Sequence, residues 1–219
     1  MASGKNKVFL TLGRRPLISY AIAAFEKRPE VGAIVVTARD GEIDDFQNIV
    51  RKFQFKKVKA VIHGGATRQD SAFNALEYLN ADMDTSTNPV VVFHNGANPF
   101  VTADEICRSI EGARKYGSCV VAHRSKDTIK EVDDDGMVAK TLDRKNLWNM
   151  QTPQAIQFRL AHTAFRRARV DGYVGTDDVS LVERIGKKVK VIEGSAFNFK
   201  ITYPIDLALA KLLLQKKYV

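Results

Sequence analysis

The segment "HGGATRQDS" at residues 63–71 combines residue types that bind an anion. Gly64 and Gly65 follow a predicted strand, and polar residues surround the start of the next helix: Thr67, Arg68 and Ser71. Glycine lets a phosphate or a ring come close to backbone amides, and a helix N-terminus favours negative charge. The same glycines also fit a tight strand-to-helix turn, and on spacing alone that interpretation is the stronger one.

Two further turns carry polar residues next to predicted elements. In "VVVFHNGANPF", residues 90–100, an apolar run ends at His94 and passes into a small polar turn without charge. In "TDD", residues 176–178, two carboxylates begin a predicted helix, where they favour the helix dipole. Capping is a sufficient explanation for these carboxylates.

Two segments bring basic residues toward the predicted strand ends. "TLDRKNLWNMQTPQ", residues 141–154, carries Arg144 and runs into a Gln-Thr-Pro-Gln sequence that we interpret as a turn. "GSAFNFKIT", residues 194–202, carries Lys200 on a short predicted strand that follows a glycine-containing turn. Both segments therefore place a cation near the same region of the fold.

Apolar runs rich in β-branched residues alternate with amphipathic helix patterns. The runs predict strands buried on both faces at residues 33–38, 58–62, 89–94 and 118–123. A helix is predicted over 67–80, and Thr102 with Glu105 forms a capping box that starts the next one. This alternation predicts an α/β fold with a largely parallel, doubly wound sheet that binds ligands at the carboxyl ends of its strands.

Residues 125–150 depart from this alternation. Strand-like pieces flank a "DDDG" turn, which is typical of a hairpin, and the flanking residues are polar on both sides. We expect a β-arm that projects from the body. Since a two-stranded ribbon is marginal alone, we predict that the arm packs on the same arm of a second copy and forms a homodimer. The C-terminal "YPIDLALAKLLLQKK" predicts a helix with Pro204 in its first turn.

The composition limits the classes of partner. The net charge is +9, from 34 Lys and Arg against 25 Asp and Glu, which favours polyanionic partners such as phosphorylated small molecules. The basic residues are scattered among acidic ones, so we expect no nucleic-acid partner. A chain of 219 residues with 45% hydrophobic content fits one domain with one sizeable core.

The sequence also lacks the signals of several other classes. No apolar run approaches the ~20 residues that cross a bilayer, and no signal-peptide pattern is present, so we expect an intracellular protein without a membrane partner. Cys107 and Cys119 lack metal or redox spacing and are interpreted as buried free thiols. The histidines share no metal-ligand spacing and are interpreted as structural: His63, His94, His123 and His162.

Several motifs occur in one order along the chain: "GGATRQDS", "HNGANPF", "KDTIK", "TLDRKNLW", "QTPQ", "TDDVSLVE", "VIEGSAFNFKIT" and "PIDLALA". In this order they resemble the 2-C-methyl-D-erythritol 4-phosphate cytidylyltransferases of non-mevalonate isoprenoid synthesis, from Lys7 to the last helix. The resemblance implies one Rossmann-like nucleotidyltransferase domain over residues 1–219, with the arm at 125–150 inside it. It also implies that the phosphate of methylerythritol phosphate attacks the α-phosphorus of CTP and expels pyrophosphate.

The resemblance implies a role for each residue at a matching position. Lys7 matches a lysine on the triphosphate and Lys200 a second lysine that bridges the phosphates, so both are expected to be catalytic. Gly65 and Ser71 match residues that read the cytosine base. Thr128 and Arg144 match residues that, with Lys200, hold methylerythritol phosphate and reach into the partner subunit's site. The complete set of expected CTP contacts is Ser3, Gly4, Lys7, Gly64, Gly65, Ser71, Asn95 and Gly96.

The uncharged turn departs from the family pattern. The family typically reads His-Asp-Ala-Ala-Arg-Pro-Phe, whereas this chain has Asn95 for the Asp, Gly96 for the first Ala and Asn98 for the Arg. The family's Asp helps to hold Mg²⁺, the cofactor that the resemblance implies. Losing that charge removes roughly 4 kcal/mol of attraction at ~4 Å and an effective dielectric constant of ~20. We therefore assign no metal ligand, and we interpret the turn as a nucleotide loop that is retuned or switched off.

The start of the chain is a second departure. The family opens with a central buried strand and a glycine-rich loop that wraps the triphosphate, whereas this chain opens "MASGKNKVFL", in which Ser3 and Gly4 match what remains of the loop. Without the strand, two rows of backbone groups lose their partners, at about 1 to 3 kcal/mol for each unsatisfied group. We expect either that the folded protein has further residues or that "KVFLTL", residues 7–12, fills the gap.

Several alternatives stay open at this level. The acceptor is methylerythritol phosphate in the leading interpretation, and ribitol 5-phosphate or another polyol phosphate in a related one. A catalytically impaired nucleotide-binding homologue would explain Asn95 and Asn98. General polyanion binding would show a steep salt dependence without nucleotide preference. We expect a location in the bacterial cytoplasm rather than in a plastid.

Overall fold

A computed structural model describes residues 6–216, so Ser3 and Gly4 lie outside the described residues. Within this range the strands are β1 Thr11–Leu12, β2 Arg15–Pro16, β3 Ile34–Ala38, β4 Val58–His63, β5 Val90–Phe93, β6 Ser118–Arg124, β7 Lys130–Val132, β8 Val138–Thr141, β9 Trp148–Gln157 and β10 Lys190–Glu193. The α-helices are α1 Leu17–Glu26, α2 Ile43–Phe53, α3 Arg68–Asp82, α4 Ala103–Tyr116, α5 Phe158–Val170, α6 Asp178–Arg184 and α7 Pro204–Gln215. Two 3₁₀ turns cover Lys7–Phe9 and Arg144–Asn146. The four predicted strands and the predicted helices are therefore confirmed.

The main sheet has the order β10, β6, β9, β5. β10 runs parallel to β6, while β9 is antiparallel to both β6 and β5, so the sheet is mixed. Side chains alternate between its faces. Val120 and Ile156 pack in a cluster with α3, α5 and α6, whereas Cys119 and Ala155 pack in another with Ala113 of α4. Helices on both faces give the predicted α/β, Rossmann-like architecture.

The predicted Gln-Thr-Pro-Gln turn is wrong, because residues 151–154 lie inside β9. Val120 pairs with Gln154 and Ala122 pairs with Met150, so three residues of β9 oppose Val121 alone. Proline has no backbone N–H to give to a ladder, and this bulge accommodates Pro153 next to β6. The peptide bond between Thr152 and Pro153 is cis.

The strands β3 and β4 form a separate parallel pair. Ile34 of β3 and Val90 and Val92 of β5 nevertheless pack against one cluster, formed by Phe25, Val101, Ile106 and Ile110. Among residues 6–216, β3 pairs only with β4 and β5 pairs only with β9. The core is therefore continuous across two sheets whose edges do not pair with each other.

The expectation that residues 7–12 fill this gap is wrong. Lys7–Phe9 form a 3₁₀ turn, and Thr11–Leu12 pair with Arg15–Pro16 in a two-stranded antiparallel ribbon. Leu12 is completely buried in a cluster with α7, so packing against the last helix places this segment. The other expectation, that the folded protein has further residues, stays a prediction.

The segment 125–150 contains the predicted hairpin. β7 and β8 pair with each other, and Asp133 closes the turn by accepting hydrogen bonds from the backbone N–H groups of Asp135 and Met137. All residues of both strands are exposed. The large apolar side chains exposed on this β-arm are Val132, Met137, Val138 and Met150.

Two further expectations concern the cysteine thiols and the absence of membrane-spanning helices. Cys107 and Cys119 are both free; Cys119 is buried and Cys107 is partly buried. Within residues 6–216, every helix is too short or too polar to cross a bilayer.

Candidate active site

The candidate site lies where several strand-to-helix connections meet. Residues 64–67 follow β4, residues 94–102 follow β5, and residues 194–203 follow β10. The backbone N–H of Ile201 donates to the carbonyl oxygen of Ala97 at 2.9 Å, which joins two of these connections directly. This is the carboxyl edge of the strands, where the α/β pattern predicts ligand binding.

The side chain of Gln154, on β9, fixes the start of α6. Its Oε1 accepts hydrogen bonds from the backbone N–H groups of Asp178 and Val179 at 2.9 and 3.1 Å. Its Nε2 donates to Asp177 Oδ2 at 2.9 Å and to the carbonyl oxygen of Gln151 at 3.2 Å. Gln154 is 2% exposed, so these four bonds satisfy a buried amide completely.

The two preceding polar residues of β9 fix two other connections. Gln151 Nε2 donates to the carbonyl oxygens of Ser195 and Asn198, both at 2.9 Å, and so holds the segment that leads to Lys200. Thr152 Oγ1 contacts His94 Nδ1 at 2.9 Å and accepts from the backbone N–H of Asn95 at 3.4 Å. One strand thereby positions the loops that carry the predicted site residues.

Arg68 makes a buried ion pair that crosses the site. Its terminal nitrogens donate to the two carboxylate oxygens of Asp178 at 2.7 and 2.5 Å, and its Nε donates to Asn95 Oδ1 at 3.2 Å. The Asp178 side chain is 1% exposed and the Arg68 side chain 43%. Two N–H donors on two carboxylate oxygens fix the orientation of the guanidinium, which stays partly exposed to solvent.

The carboxylates of the "TDD" segment have two different roles. Asp177 is the N-cap of α6 and accepts from the backbone N–H of Ser180 at 2.9 Å, as predicted. For Asp178 the capping interpretation is wrong, since its side chain pairs with Arg68. Burial raises the pKa of Asp178 above its ordinary value, while the Arg68 guanidinium acts in the opposite direction. We take the bidentate contact as evidence that the carboxylate is ionised in this pair.

Of the two predicted catalytic lysines, Lys200 lies within electrostatic range of both Lys7 and Arg68. Partial desolvation of the Lys200 ammonium lowers its pKa below the ordinary value, and the positive charges of Lys7 and Arg68 lower it further. The short strand predicted around Lys200 is wrong, because residues 194–203 form an irregular segment. The bonds from Gln151 and to Ala97 hold this segment in place of a sheet ladder.

Gly64, Gly65 and Ser71 form a compact strand-to-helix turn. The backbone N–H of Gly65 donates to Ser71 Oγ at 3.0 Å, and Ser71 Oγ donates to the carbonyl oxygen of Thr67 at 2.9 Å. A Cβ on Gly65 would lie 2.2 Å from Cβ of Asp70, so only glycine fits there. Packing explains both this glycine and the serine, and their role toward a base stays a prediction.

Gly96 and Asn98 shape the uncharged turn. A Cβ at Gly96 would lie 2.5 Å from Ile18 Cδ1, so this glycine packs closely against a side chain of α1. Asn98 is 2% exposed, and its Nδ2 donates to the carbonyl oxygen of Asn198 at 3.3 Å. The residue that stands for the family's Arg is therefore part of the core. The contact of Gly96 with CTP stays a prediction.

Thr128 and Arg144 are exposed on the β-arm. Arg144 donates to the carbonyl oxygen of Lys126 at 3.3 Å, within the arm. The neighbouring carboxylate, Asp143, pairs with Lys145 at 2.8 Å. The structure of one chain leaves their predicted contact with an acceptor phosphate untested.

The four histidines have separate surroundings. His63 contacts Asp40 and His162 contacts Glu77, each at 2.8 Å, and His123 contacts the carbonyl oxygen of Arg124. His94 donates from Nε2 to the carbonyl oxygen of Asn98 at 3.1 Å, which leaves Nδ1 to accept from Thr152. Burial lowers the pKa of His94 to about 4, with a smaller lowering by the charge of Arg68.

The donor set of the site does not fit a protein-bound Mg²⁺, which prefers carboxylate oxygens. Asn95 offers a neutral amide oxygen that already accepts from Arg68, and both oxygens of Asp178 accept from the same guanidinium. In the described part of the chain, no group of three or more His, Cys, Asp and Glu residues is placed to hold a metal ion.

Sequence reasoning missed the residues that assemble the site. Arg68 and Asp178 are 110 residues apart, and Gln154 lies 24 residues before the backbone it fixes. Each of these residues lies in a motif that the sequence shows, but no local sequence pattern indicates that the three motifs contact each other. The sequence offered only a second Asp directly after the N-cap Asp as a signal for the ion pair.

We expect that Gln154→Leu lowers the free energy of unfolding by about 2 to 4 kcal/mol, because it leaves two buried backbone N–H groups unsatisfied. Urea denaturation measures the change. Gln157→Leu, at the partly exposed end of the same strand, is the matched control and should cost about 1 kcal/mol. Equal losses in the two variants would contradict the positioning role of Gln154.

We expect the free energy of unfolding to fall as the pH falls from about 6.5 to about 4. In that window the unfolded chain protonates His94 while the native state excludes the proton, which costs up to roughly 3 kcal/mol. Urea denaturation at pH 7, 6 and 5 measures the slope. His94→Gln has no such titration, so its slope should be flatter; identical slopes would show that His94 does not contribute.

Comparison with known proteins places the chain in a family. The family model described as 2-C-methyl-D-erythritol 4-phosphate cytidylyltransferase matches residues 1–216. The cytidylyltransferase of that name from Bacillus cereus is 42% identical over 99% of this chain and 94% of its own length. The one from Geobacillus kaustophilus is 40% identical over 99% and 92%.

Solved structures agree with this placement. The 4-diphosphocytidyl-2C-methyl-D-erythritol synthase of Anaerococcus prevotii superposes with a TM-score of 0.87 at 29% identity, covering 98% of this chain and 92% of that one. The 2-C-methyl-D-erythritol 4-phosphate cytidylyltransferase of Thermus thermophilus superposes with a TM-score of 0.78 at 32% identity, covering 98% and 96%. The chain therefore belongs to the 2-C-methyl-D-erythritol 4-phosphate cytidylyltransferase family.

Proposed function

We propose that this protein transfers the cytidylyl group of CTP to 2-C-methyl-D-erythritol 4-phosphate. A phosphate oxygen of the acceptor forms a bond to the α-phosphorus of CTP. The bond from that phosphorus to the bridging α,β-oxygen breaks, and the electron pair leaves with pyrophosphate. No protein nucleophile takes part, so the protein contributes positioning and positive charge around the phosphorus in the transition state.

The observation that carries this proposal is the cluster of three cations at the carboxyl edge of the strands. Lys7 and Arg68 both lower the pKa of Lys200, so both positive groups are near enough to repel the Lys200 ammonium group. A bound triphosphate offsets this repulsion, and the repulsion favours occupancy by a polyanion. In the proposed mechanism Lys7 binds the triphosphate and Lys200 follows the charge that develops between donor and acceptor phosphates.

The supporting scaffold has the rigidity that in-line transfer requires. Gln151, Thr152 and Gln154 hold three connections from one central strand. Because effective catalysis depends on fixed geometry of the reacting groups, strand β9 is the element that preorganises the site. Gly64, Gly65 and Ser71 are proposed to receive the base at the adjacent turn.

We expect that Lys200→Met reduces kcat/KM by about 100-fold or more, since it removes a cation next to the reacting phosphates. The measurement is pyrophosphate release from CTP in the presence of methylerythritol phosphate. Lys188→Met, at an exposed lysine, is the matched control and should retain wild-type activity.

The same assay has outcomes that contradict the proposal. Wild-type protein that binds CTP in a thermal-shift series but releases no pyrophosphate would be a nucleotide-binding homologue without this activity. Faster turnover with ribitol 5-phosphate than with methylerythritol phosphate would contradict the proposed acceptor.

We further propose that the protein acts as a homodimer through the β-arm of residues 125–150. The arm is a two-stranded ribbon with exposed Val132, Met137 and Val138, and such a ribbon needs a packing surface to be stable. Thr128 and Arg144 are exposed at its base. A paired arm from a second copy would deliver them to the acceptor phosphate in the neighbouring site.

We expect that Val138→Asp converts the dimer into a monomer, because the change places a charge on the apolar side chain at the centre of the proposed contact. Sedimentation velocity measures the change in mass. Val170→Asp makes the same substitution at an 82% exposed position of α5 and should leave the dimer intact. A wild-type monomer at micromolar concentration would contradict the proposal.

We also propose a location in the bacterial cytoplasm. The bacterial sources of the similar cytidylyltransferases support this proposal.

A further inference from the structure

Asn95 is already engaged by a cation of the protein itself. Arg68 Nε donates to Asn95 Oδ1 at 3.2 Å, on the oxygen that corresponds to a carboxylate in the family's pattern. The amide is neutral, and the cation next to it is fixed by Asp178. A divalent ion at this oxygen would therefore approach a guanidinium and gain no carboxylate.

The neighbouring carboxylates are also committed. Both oxygens of Asp178 accept from Arg68, and this side chain is 1% exposed. Asp177 accepts from the backbone N–H of Ser180 through Oδ1 and from Gln154 through Oδ2. Each of the four oxygens of these two carboxylates already accepts a hydrogen bond, so neither carboxylate is left as a free anionic ligand for a metal ion.

Arg68 retains hydrogen-bonding capacity toward an anion. A guanidinium carries five N–H donors, and the contacts with Asp178 and Asn95 use one on each of its three nitrogens. One N–H on each terminal nitrogen remains, and the side chain is 43% exposed. The charge of Arg68 also acts on Lys200, as does the charge of Lys7.

We propose that Arg68 is a nucleotide-binding residue and that this site binds the triphosphate of CTP without a divalent cation held by the protein. The proposal rests on the cytidylyltransferase function proposed above. Lys7, Lys200 and the free donors of Arg68 neutralise the phosphates directly. Asn95, by carrying no charge, leaves the guanidinium available to them.

The test is calorimetric titration of the full chain with CTP, once with excess EDTA and once with Mg²⁺. For the wild type we expect dissociation constants that differ by less than fivefold. In Asn95→Asp the new carboxylate competes with the phosphates for Arg68. We expect this variant to bind CTP at least tenfold more weakly in EDTA, and Mg²⁺ to recover most of the loss.

Asn48→Asp is the matched control. Asn48 is exposed on α2, and its Oδ1 also accepts from an arginine, Arg51, at 2.7 Å. The substitution therefore makes the same chemical change next to the same kind of cation, away from the site. We expect its two dissociation constants to equal those of the wild type.

The role of Arg68 is tested in the same titrations with Arg68→Lys, which keeps a positive charge but removes the fork. We expect weaker CTP binding, by at least tenfold, in both buffers. Circular dichroism reports whether the variant is folded. Unchanged binding by the folded variant would overturn the role of Arg68.

The remaining outcomes separate the two proposals. Wild-type binding that is more than fivefold tighter in Mg²⁺ than in EDTA would overturn metal-independent binding and leave the proposed function standing. The same ratio of dissociation constants in EDTA and in Mg²⁺ for the wild type and for Asn95→Asp would also overturn metal-independent binding. Wild-type protein that binds no CTP in either buffer would overturn the proposed function, and this inference with it.

Discussion

The hydrogen bonds made by Gln151, Thr152 and Gln154 are the constraint on which the site depends. They run from one central strand to three separate connections. The partners include backbone groups for Gln151 and Gln154 and the His94 side chain for Thr152. Because these amides and the hydroxyl are buried or partly buried, losing one partner costs the full desolvation of the group left behind. The residues that could meet a nucleotide are thus fixed by polar contacts within the sheet and not by the loops themselves.

A second constraint is the balance of charge around Arg68. The guanidinium is paired with the buried carboxylate of Asp178, and its positive charge acts on Lys200 together with that of Lys7. The family pattern has an Asp at this turn, so the amide of Asn95 removes one negative charge. The consequence is a more positive site. Substrate anions rather than a metal ion are then the natural counterions.

The sequence predicted the fold class, four of the strands, the capping box of Thr102 with Glu105 and the hairpin of the β-arm, because these depend on local periodicity and on residues within a few positions of each other. It did not predict that residues 151–154 lie in a strand, since proline locally favours a turn and only the bulge opposite Val121 accommodates it. The sequence also did not predict the ion pair of Arg68 with Asp178. That contact joins residues 110 positions apart, and a capping role explained Asp178 equally well from the sequence.

The most direct test of the central claim is a crystal structure of the protein with CTP. We predict that oxygens of one triphosphate lie within hydrogen-bonding distance of the ammonium groups of both Lys7 and Lys200, with Arg68 on the side of Asn95. A triphosphate bound elsewhere, or one that contacts neither lysine, would contradict the account.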